Sequence, residues 1–202
     1  MNQLAEFLCN KAIAVKAIES EEKDLYMYGF GLLISSIYTW GTFIILGLFF
    51  DSLLAAICFM LLFIPLRIFC GGFHRESYSK CYTSSLFLFL SIFIISKAPF
   101  LEKINLGLFV SLPVAIWCIW KFAPLEDQNK PLSSKEITKY SRMSKNILAV
   151  EVVLVFLIWL NHLKPLIIYF SLTALNVIGL LLLLKVIQNS INSKHNRYIS
   201  GV

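Results

Sequence analysis

Six long apolar runs, at about residues 26–50, 52–66, 82–96, 104–120, 146–160 and 165–184, constrain this chain more than any other feature. A straight helix needs about 20 apolar residues to cross the hydrocarbon core of a bilayer. Backbone placed in lipid must also satisfy its own hydrogen bonds, which leaves helices as the natural form for such runs. With 58% apolar and only 15% charged residues, the chain is too apolar for a soluble domain. The expectation is an all-α, polytopic integral membrane protein with about six transmembrane helices. The second, third and fifth runs are short for a span, so they either take in flanking residues or give way to re-entrant elements.

Before the first run, Leu4, Phe7, Leu8, Ala12, Val15 and Ile18 recur every three to four positions, with Glu6, Lys11 and Lys16 between them. That spacing predicts an amphipathic helix, packed on the protein or lying in the headgroup layer. The acidic run Glu21, Glu22 and Asp24 separates it from the spans, and such early charges are not those of a cleavable signal peptide. The first span is expected to act as the insertion signal. The domain reading is an N-terminal helix in residues 1–25, one membrane domain in residues 26–185 and a tail in residues 186–202.

A net charge of +6 would point to nucleic acid in a soluble protein, but in a membrane protein it is the placement of Lys and Arg that carries information. With the N-terminus inside, fifteen Lys and Arg fall in cytoplasmic pieces and only Lys97, Lys103 and Lys164 outside. This bias predicts an even number of spans in a bacterial cell membrane, with both termini cytoplasmic, and it excludes nucleic acid as the partner. The five cysteines are scattered, without CxxC or Cys/His spacing, so neither a disulfide framework nor a metal site is expected. No cofactor is implied.

The longest polar stretch, residues 121–145, holds Lys121, Lys130, Lys135, Lys139, Arg142 and Lys145 against three acidic residues. Pro131 followed by Ser133, Ser134 and Glu136 has the chemistry of a helix start. The basic residues serve as a positive-inside anchor or as a docking surface for an acidic peptide, with Lys121, Lys130, Lys135 and Lys139 the candidates for binding it.

Reactive side chains concentrate in residues 67–81, RIFCGGFHRESYSKC. His74 and Cys81 are able to do covalent chemistry together, since an imidazole can act as both base and cation for a thiol. Lys80 and Arg75 add positive charge, which favours a thiolate. Cys9, Cys58 and Cys118 read instead as small apolar fillers. Cys70 is a rival nucleophile, one helical turn before His74 but in a more apolar setting. On a straight helix His74 and Cys81 would be about 10.5 Å apart along the axis, too far for a proton-transfer contact of about 3 Å. The chain must depart from a helix between them, or Ser77 or Tyr78 must link them, or another segment must close the gap. Gly71 and Gly72 permit a sharp turn and a close approach of backbone N–H groups to a substrate. Arg67 either snorkels to the headgroups or grips a carboxylate. Glu76 and Glu151 are the carboxylates available to orient the imidazole, and Glu151, inside an apolar run, needs a partner.

These residues resemble the AgrB family of accessory gene regulator proteins, membrane endopeptidases that mature quorum-sensing peptides. The resemblance rests on Arg67, Gly71-Gly72-Phe73-His74 and Cys81, and on the loop APLEDQNKPL from Ala123 to Leu132. It implies that His74 and Cys81 are the essential pair and that Arg67 and Gly72 are further positions on which activity depends. The substrate it implies is a short AgrD-like propeptide with an amphipathic leader, a central segment holding a Cys or Ser, and an acidic C-terminal tail. Cys81 would form a thioester, which the internal Cys or Ser would convert to a thiolactone or lactone. Beside the propeptide, the expected partners are membrane lipid and a second copy of the chain, in a homodimer through apolar span faces. A small peptide transporter without covalent chemistry, and a lipid-binding scaffold, are the competing readings. The transporter would spread its charges across several spans rather than in one cytoplasmic motif, and the scaffold would make His74 and Cys81 dispensable.

Overall fold

The computed structural model describes residues 2–15, 18–71, 78–125, 133–161 and 163–200. Seven α-helices occur in them: α1 Asn2–Ala14, α2 Lys23–Phe49, α3 Leu53–Cys70, α4 Tyr78–Ile95, α5 Leu101–Phe122, α6 Ser134–Leu160 and α7 Pro165–Ser200. Among the described residues there is no strand, only an isolated bridge between Gly71 and Leu125. Helices α2, α3, α5, α6 and α7 each contain a segment long and apolar enough to cross a membrane, and Tyr82–Ile95 in α4 is a shorter apolar sixth. Ile45, Phe49, Val110 and Leu180 are more than half exposed. A water-soluble protein would bury such side chains, whereas here they form the surface that meets acyl chains. The protein is an all-α, multi-pass membrane protein.

Two of the runs that look short are completed by polar neighbours. Helix α3 continues beyond residue 66 to Cys70, and α6 starts at Ser134, well before its apolar part. The start expected near Ser133 is present as a reciprocal cap. The Glu136 N–H donates to Ser133 Oγ at 3.4 Å, and the Ser133 N–H donates to Glu136 Oε2 at 2.8 Å. Helix α7 continues to Ser200, so its helix takes in much of the stretch read as a tail. At the other terminus α1 packs on α2, burying Ala5 and Cys9, while Leu4, Phe7 and Val15 stay exposed. The Cys9 thiol donates to the Lys23 carbonyl at 3.4 Å, which holds the end of α1's buried face against the start of α2.

Association of helices in lipid relies on close packing and interhelical hydrogen bonds, because burying an apolar face gains little there. An aromatic cluster supplies packing for α2, α3, α4 and α7. The Phe43 ring lies 5.1 Å from that of Phe59, 4.3 Å from Phe89 and 5.2 Å from Phe93, and Phe93 lies 5.1 Å from Phe170. Edge-to-face and offset pairs of this kind each contribute about 0.5–1.5 kcal/mol beyond area burial. The Tyr169 hydroxyl, beside the cluster, donates to the Ile92 carbonyl at 3.2 Å. Polar contacts do the same between α5 and α7: Ser111 Oγ donates to Asn176 Oδ1 at 2.7 Å and Asn176 Nδ2 to the Leu108 carbonyl at 3.1 Å.

One end of the bundle gathers the α2–α3, α4–α5 and α6–α7 turns. There the Lys97 ammonium donates to the Phe50 carbonyl, and Asn105 Nδ2 donates to the Pro165 carbonyl at 2.9 Å. The opposite end receives the last turns of α3 and α5 and the first turns of α4 and α6, and with them Arg67, Cys70, Gly71 and Cys81.

The α5–α7 contact depends on Gly179, where an added Cβ would sit 2.7 Å from the Ala115 Cα, closer than real Cβ atoms come. Gly179→Ala is therefore expected to lower thermal stability in detergent by about 1–3 kcal/mol, the usual range for overpacking. Gly107→Ala, on the same helix pair with open space around it, is expected to leave the melting temperature unchanged or slightly raised. Equal melting of the two variants would show that this contact does not hold α5 to α7.

Candidate active site

Helix α3 ends where Gly71 takes φ +65° and ψ −135°, a conformation that side chains rarely adopt. Two contacts hold this turn. The Arg67 guanidinium donates through Nη1 to the Gly71 carbonyl. The Leu125 N–H donates to the Cys70 carbonyl at 2.9 Å, satisfying one of the acceptors that a helix C-terminus leaves open. The Gly71–Leu125 bridge is parallel, so the chain runs in the same sense through both residues where they meet. A Cβ on Gly71 would collide with the Leu125 carbonyl oxygen. Glycine is thus required twice, by its backbone angle and by its neighbour.

The sequence Ala123-Pro124-Leu125 explains why α5 delivers its end here. Proline disfavours helical backbone at the preceding residue, and Ala123 is extended at φ −81° and ψ 137°, with its N–H still bonded to the Ile119 carbonyl at 3.0 Å. The chain then crosses to α3, with Ala123 buried. The Phe69 ring meets Tyr140 of α6 edge-on at 5.7 Å, which brings α6 to the same end.

Of the predicted site residues, His74, Gly72, Glu76, Ser77 and Lys130 lie outside the described residues. Cys81 is described through its backbone, in the first turn of α4. The next residue, Tyr82, is anchored to α2 by a 2.7 Å hydrogen bond between its hydroxyl and that of Thr42. Since α3 stops at Cys70 and α4 starts at Tyr78, Arg67 and Cys81 stand on different helices. Cys70 is fully buried in the last turn of α3. Glu151 is itself 4% exposed, and neither of its carboxylate oxygens has a hydrogen-bond partner in the structure. The structure thus brings Arg67, Cys70, Gly71 and Leu125 to one locality.

Lys135 and Lys139 line a groove of about 510 Å³ with Ser134, Thr138, Arg142 and Met143 along the first turns of α6. Lys121 stands apart on α5, its ammonium 4.8 Å from the Trp117 ring centre and 5.5 Å from that of Phe122. Lys145 likewise lies 5.2 Å from the Trp120 ring. Basic groups over aromatic rings mark a membrane–water boundary. Sequence reasoning missed the part of Leu125, which acts through its backbone, and left Arg142 out of the peptide-binding set. The helical spacing of Lys135, Lys139 and Arg142 would have shown that they share a face. No group of three or more potential metal ligands occurs among the described residues.

Gly71→Ala is expected to destabilise the protein by about 1–3 kcal/mol, the cost of forcing a side chain into such backbone angles. The Leu125 collision would add to this. A melting curve in detergent checks it, and an unchanged midpoint would mean that the turn does not need glycine.

The family profile described as Accessory gene regulator B matches residues 1–188. AgrB-like protein 2 of Clostridium perfringens strain 13 is 27% identical over 162 residues, covering 78% of this chain and 75% of that protein. The AgrB-like protein of C. perfringens strain SM101 matches to the same extent, and AgrB-like protein 1 of strain 13 is 30% identical over 102 residues, about half of each chain. No solved structure matches the chain. The family match spans the α3 exit, the α5 exit and the whole apolar bundle, and this chain belongs to the AgrB family.

Proposed function

We propose that this AgrB-family protein is a membrane cysteine endopeptidase that removes the acidic C-terminal tail of a quorum-sensing propeptide and leaves the remainder poised to cyclise. The family supports the broader role, peptide processing in an accessory gene regulator system. The observation that carries the mechanism is the junction of Gly71 with Leu125, from which the His74 segment and the basic loop both depart. A nucleophile segment and a surface for an acidic tail would have to adjoin if one site were to hold both sides of the scissile bond.

In this mechanism the Cys81 thiolate attacks the carbonyl carbon of the bond preceding the tail. Its place in the first turn of α4 favours an anion, because free N–H groups there carry partial positive charge. His74 takes the thiol proton and returns it to the nitrogen of the departing tail as the C–N bond breaks. Backbone N–H groups near the glycines or Cys81 stabilise the oxyanion of the tetrahedral intermediate. The resulting thioester keeps the acyl group activated. An internal Cys or Ser of the propeptide then attacks it, forming the thiolactone or lactone and restoring Cys81 without ATP. Excluding water favours closure over hydrolysis.

Orientation follows from charge. Lys97, Lys103 and Lys164 fall in the turns at one end, so the end bearing Arg67, Cys81 and the α6 groove is assigned to the cytoplasm, where most Lys and Arg lie. The acidic tail docks against Lys135 and Lys139, with Arg142 completing the face; Lys121 and Lys130 add positive charge to the same stretch of sequence.

Cys81→Ala is expected to abolish tail release from an AgrD-like propeptide in proteoliposomes, and His74→Ala to slow it by about 10²–10⁴-fold, the usual worth of a general acid–base. Tail release by Cys81→Ala at the parent rate would refute the reading. Reversing Lys135, Lys139 and Arg142 together to Glu is expected to raise KM roughly tenfold with little change in kcat, since exposed ion pairs contribute about 0.2–1 kcal/mol each. An unchanged KM would remove the groove from the substrate path.

A further inference from the structure

Helix α4 is fastened to the bundle at two levels. Toward its end, Phe89 and Phe93 enter the aromatic cluster around Phe43, and the Ile92 carbonyl receives the Tyr169 hydroxyl. At its start, one residue past Cys81, the fastening is different. The Tyr82 ring meets the Tyr38 ring of α2 edge-on at 6.5 Å, and the Tyr82 hydroxyl shares a 2.7 Å hydrogen bond with that of Thr42. Tyr38 and Thr42 are one turn apart on α2, so Tyr82 fits across both. Thr42 stands in the part of α2 apolar enough to cross a membrane, Gly29–Phe49. Lipid tails offer no replacement for a lost hydrogen-bond partner, so two hydroxyls from different helices hold each other there.

We infer that Thr42 is a positioning residue of the peptidase site: its hydroxyl, acting through that of Tyr82, fixes where the first turn of α4 carries Cys81. This rests on the proposed peptidase function. Cys81 and Tyr82 are consecutive on one helix, so a tether on the second sets the backbone of the first. Position 81 lies about 12 Å along the axis from Phe89, where the packing on Phe43 begins. Held only from Phe89 onward, the start of α4 would be free to swing, and a tilt of about 5° would move position 81 by about 1 Å. A misplacement of about 1 Å is enough to cost about 10²-fold in rate. The hydrogen bond removes that freedom at the point where the chemistry needs it.

Two measurements on the full-length protein in proteoliposomes test this. The first is propeptide tail release by the parent, Thr42→Val, Thr42→Ser, Tyr82→Phe and the Thr42→Val/Tyr82→Phe double variant. Thr42→Val, which keeps the shape and loses the hydroxyl, is expected to lower kcat at least tenfold with KM within twofold, as is Tyr82→Phe. Thr42→Ser, which keeps the hydroxyl, is expected to hold kcat within threefold of the parent. The double variant is expected to be no more than twofold slower than the slower single variant, because both remove one interaction. Parent-like kcat in Thr42→Val, equal losses in Thr42→Val and Thr42→Ser, or multiplying losses in the double variant overturn the inference. Should Tyr82→Phe not accumulate in membranes, the comparison of Thr42→Val with Thr42→Ser decides alone. The second is the rate of N-ethylmaleimide labelling at Cys81, mapped by peptide mass. Thr42→Val is expected to raise it at least threefold without a rise at Cys58 or Cys118. An unchanged rate at Cys81, or an equal rise at all three, overturns the local role. Cys81→Ala runs alongside: if it cleaves, the peptidase reading fails, while the labelling comparison still judges the tether on its own.

Discussion

The hydrogen bond from the Leu125 N–H to the Cys70 carbonyl, with Gly71 pressed against Leu125, is the contact on which the rest of the site depends. It closes the end of α3, stops α5, and sets the departure points of the two polar segments between the spans. In a bilayer the groups it joins cannot be left open, since an unpaired carbonyl or amide in an apolar setting costs more than the bond gains in water. The junction is therefore both a structural necessity at the ends of two apolar helices and the device that brings distant parts of the sequence together. Arg67 strengthens it from within α3, and the ring contact of Phe69 with Tyr140 draws α6 to the same place.

The bundle behind the site is arranged to keep that end in register. Aromatic packing around Phe43 and Phe93 joins α2, α3, α4 and α7 near the far end, and the Thr42–Tyr82 hydrogen bond anchors the beginning of α4 next to Cys81. Close approach at Gly179 and the Asn176–Ser111 hydrogen bond bind α5 to α7, so the segment leading to Leu125 is carried on a fixed helix. Under the proposed mechanism the Cys81 thiol needs this kind of support, because small misplacements of reacting groups lose large factors in rate.

Much of the architecture is readable from the chain alone. Apolar runs mark the helices because lipid leaves no other way to satisfy the backbone, and Ser133 with Glu136 marks the beginning of α6 because their side chains cap it. Helix ends were harder to place. Arg67 reaches forward to the Gly71 carbonyl at the end of α3, and the polar turns from Ser134 to Lys145 extend α6, so both helices run past the apolar runs of the sequence. The junction itself was out of reach, since Leu125 contributes only its backbone and no periodicity connects it with Gly71. The need of Glu151 for a partner is legible from its place in an apolar run, yet in the structure neither of its carboxylate oxygens has a hydrogen bond. The pairing of His74 with Cys81 rests on residue chemistry and family resemblance, and His74 falls outside the described residues.

The claim that matters most is that the residue 81 sulfur takes over an acyl group from the propeptide. Its most direct measurement is the intact and peptide-level mass of the protein after incubation with a propeptide whose ring-closing Cys or Ser has been replaced by Ala. The account predicts release of the tail together with a mass increase equal to the propeptide minus the released tail peptide, located on Cys81 and removed by hydroxylamine. Tail release with no adduct at any time point in a rapid-quench series, or an adduct confined to Cys70, would contradict it.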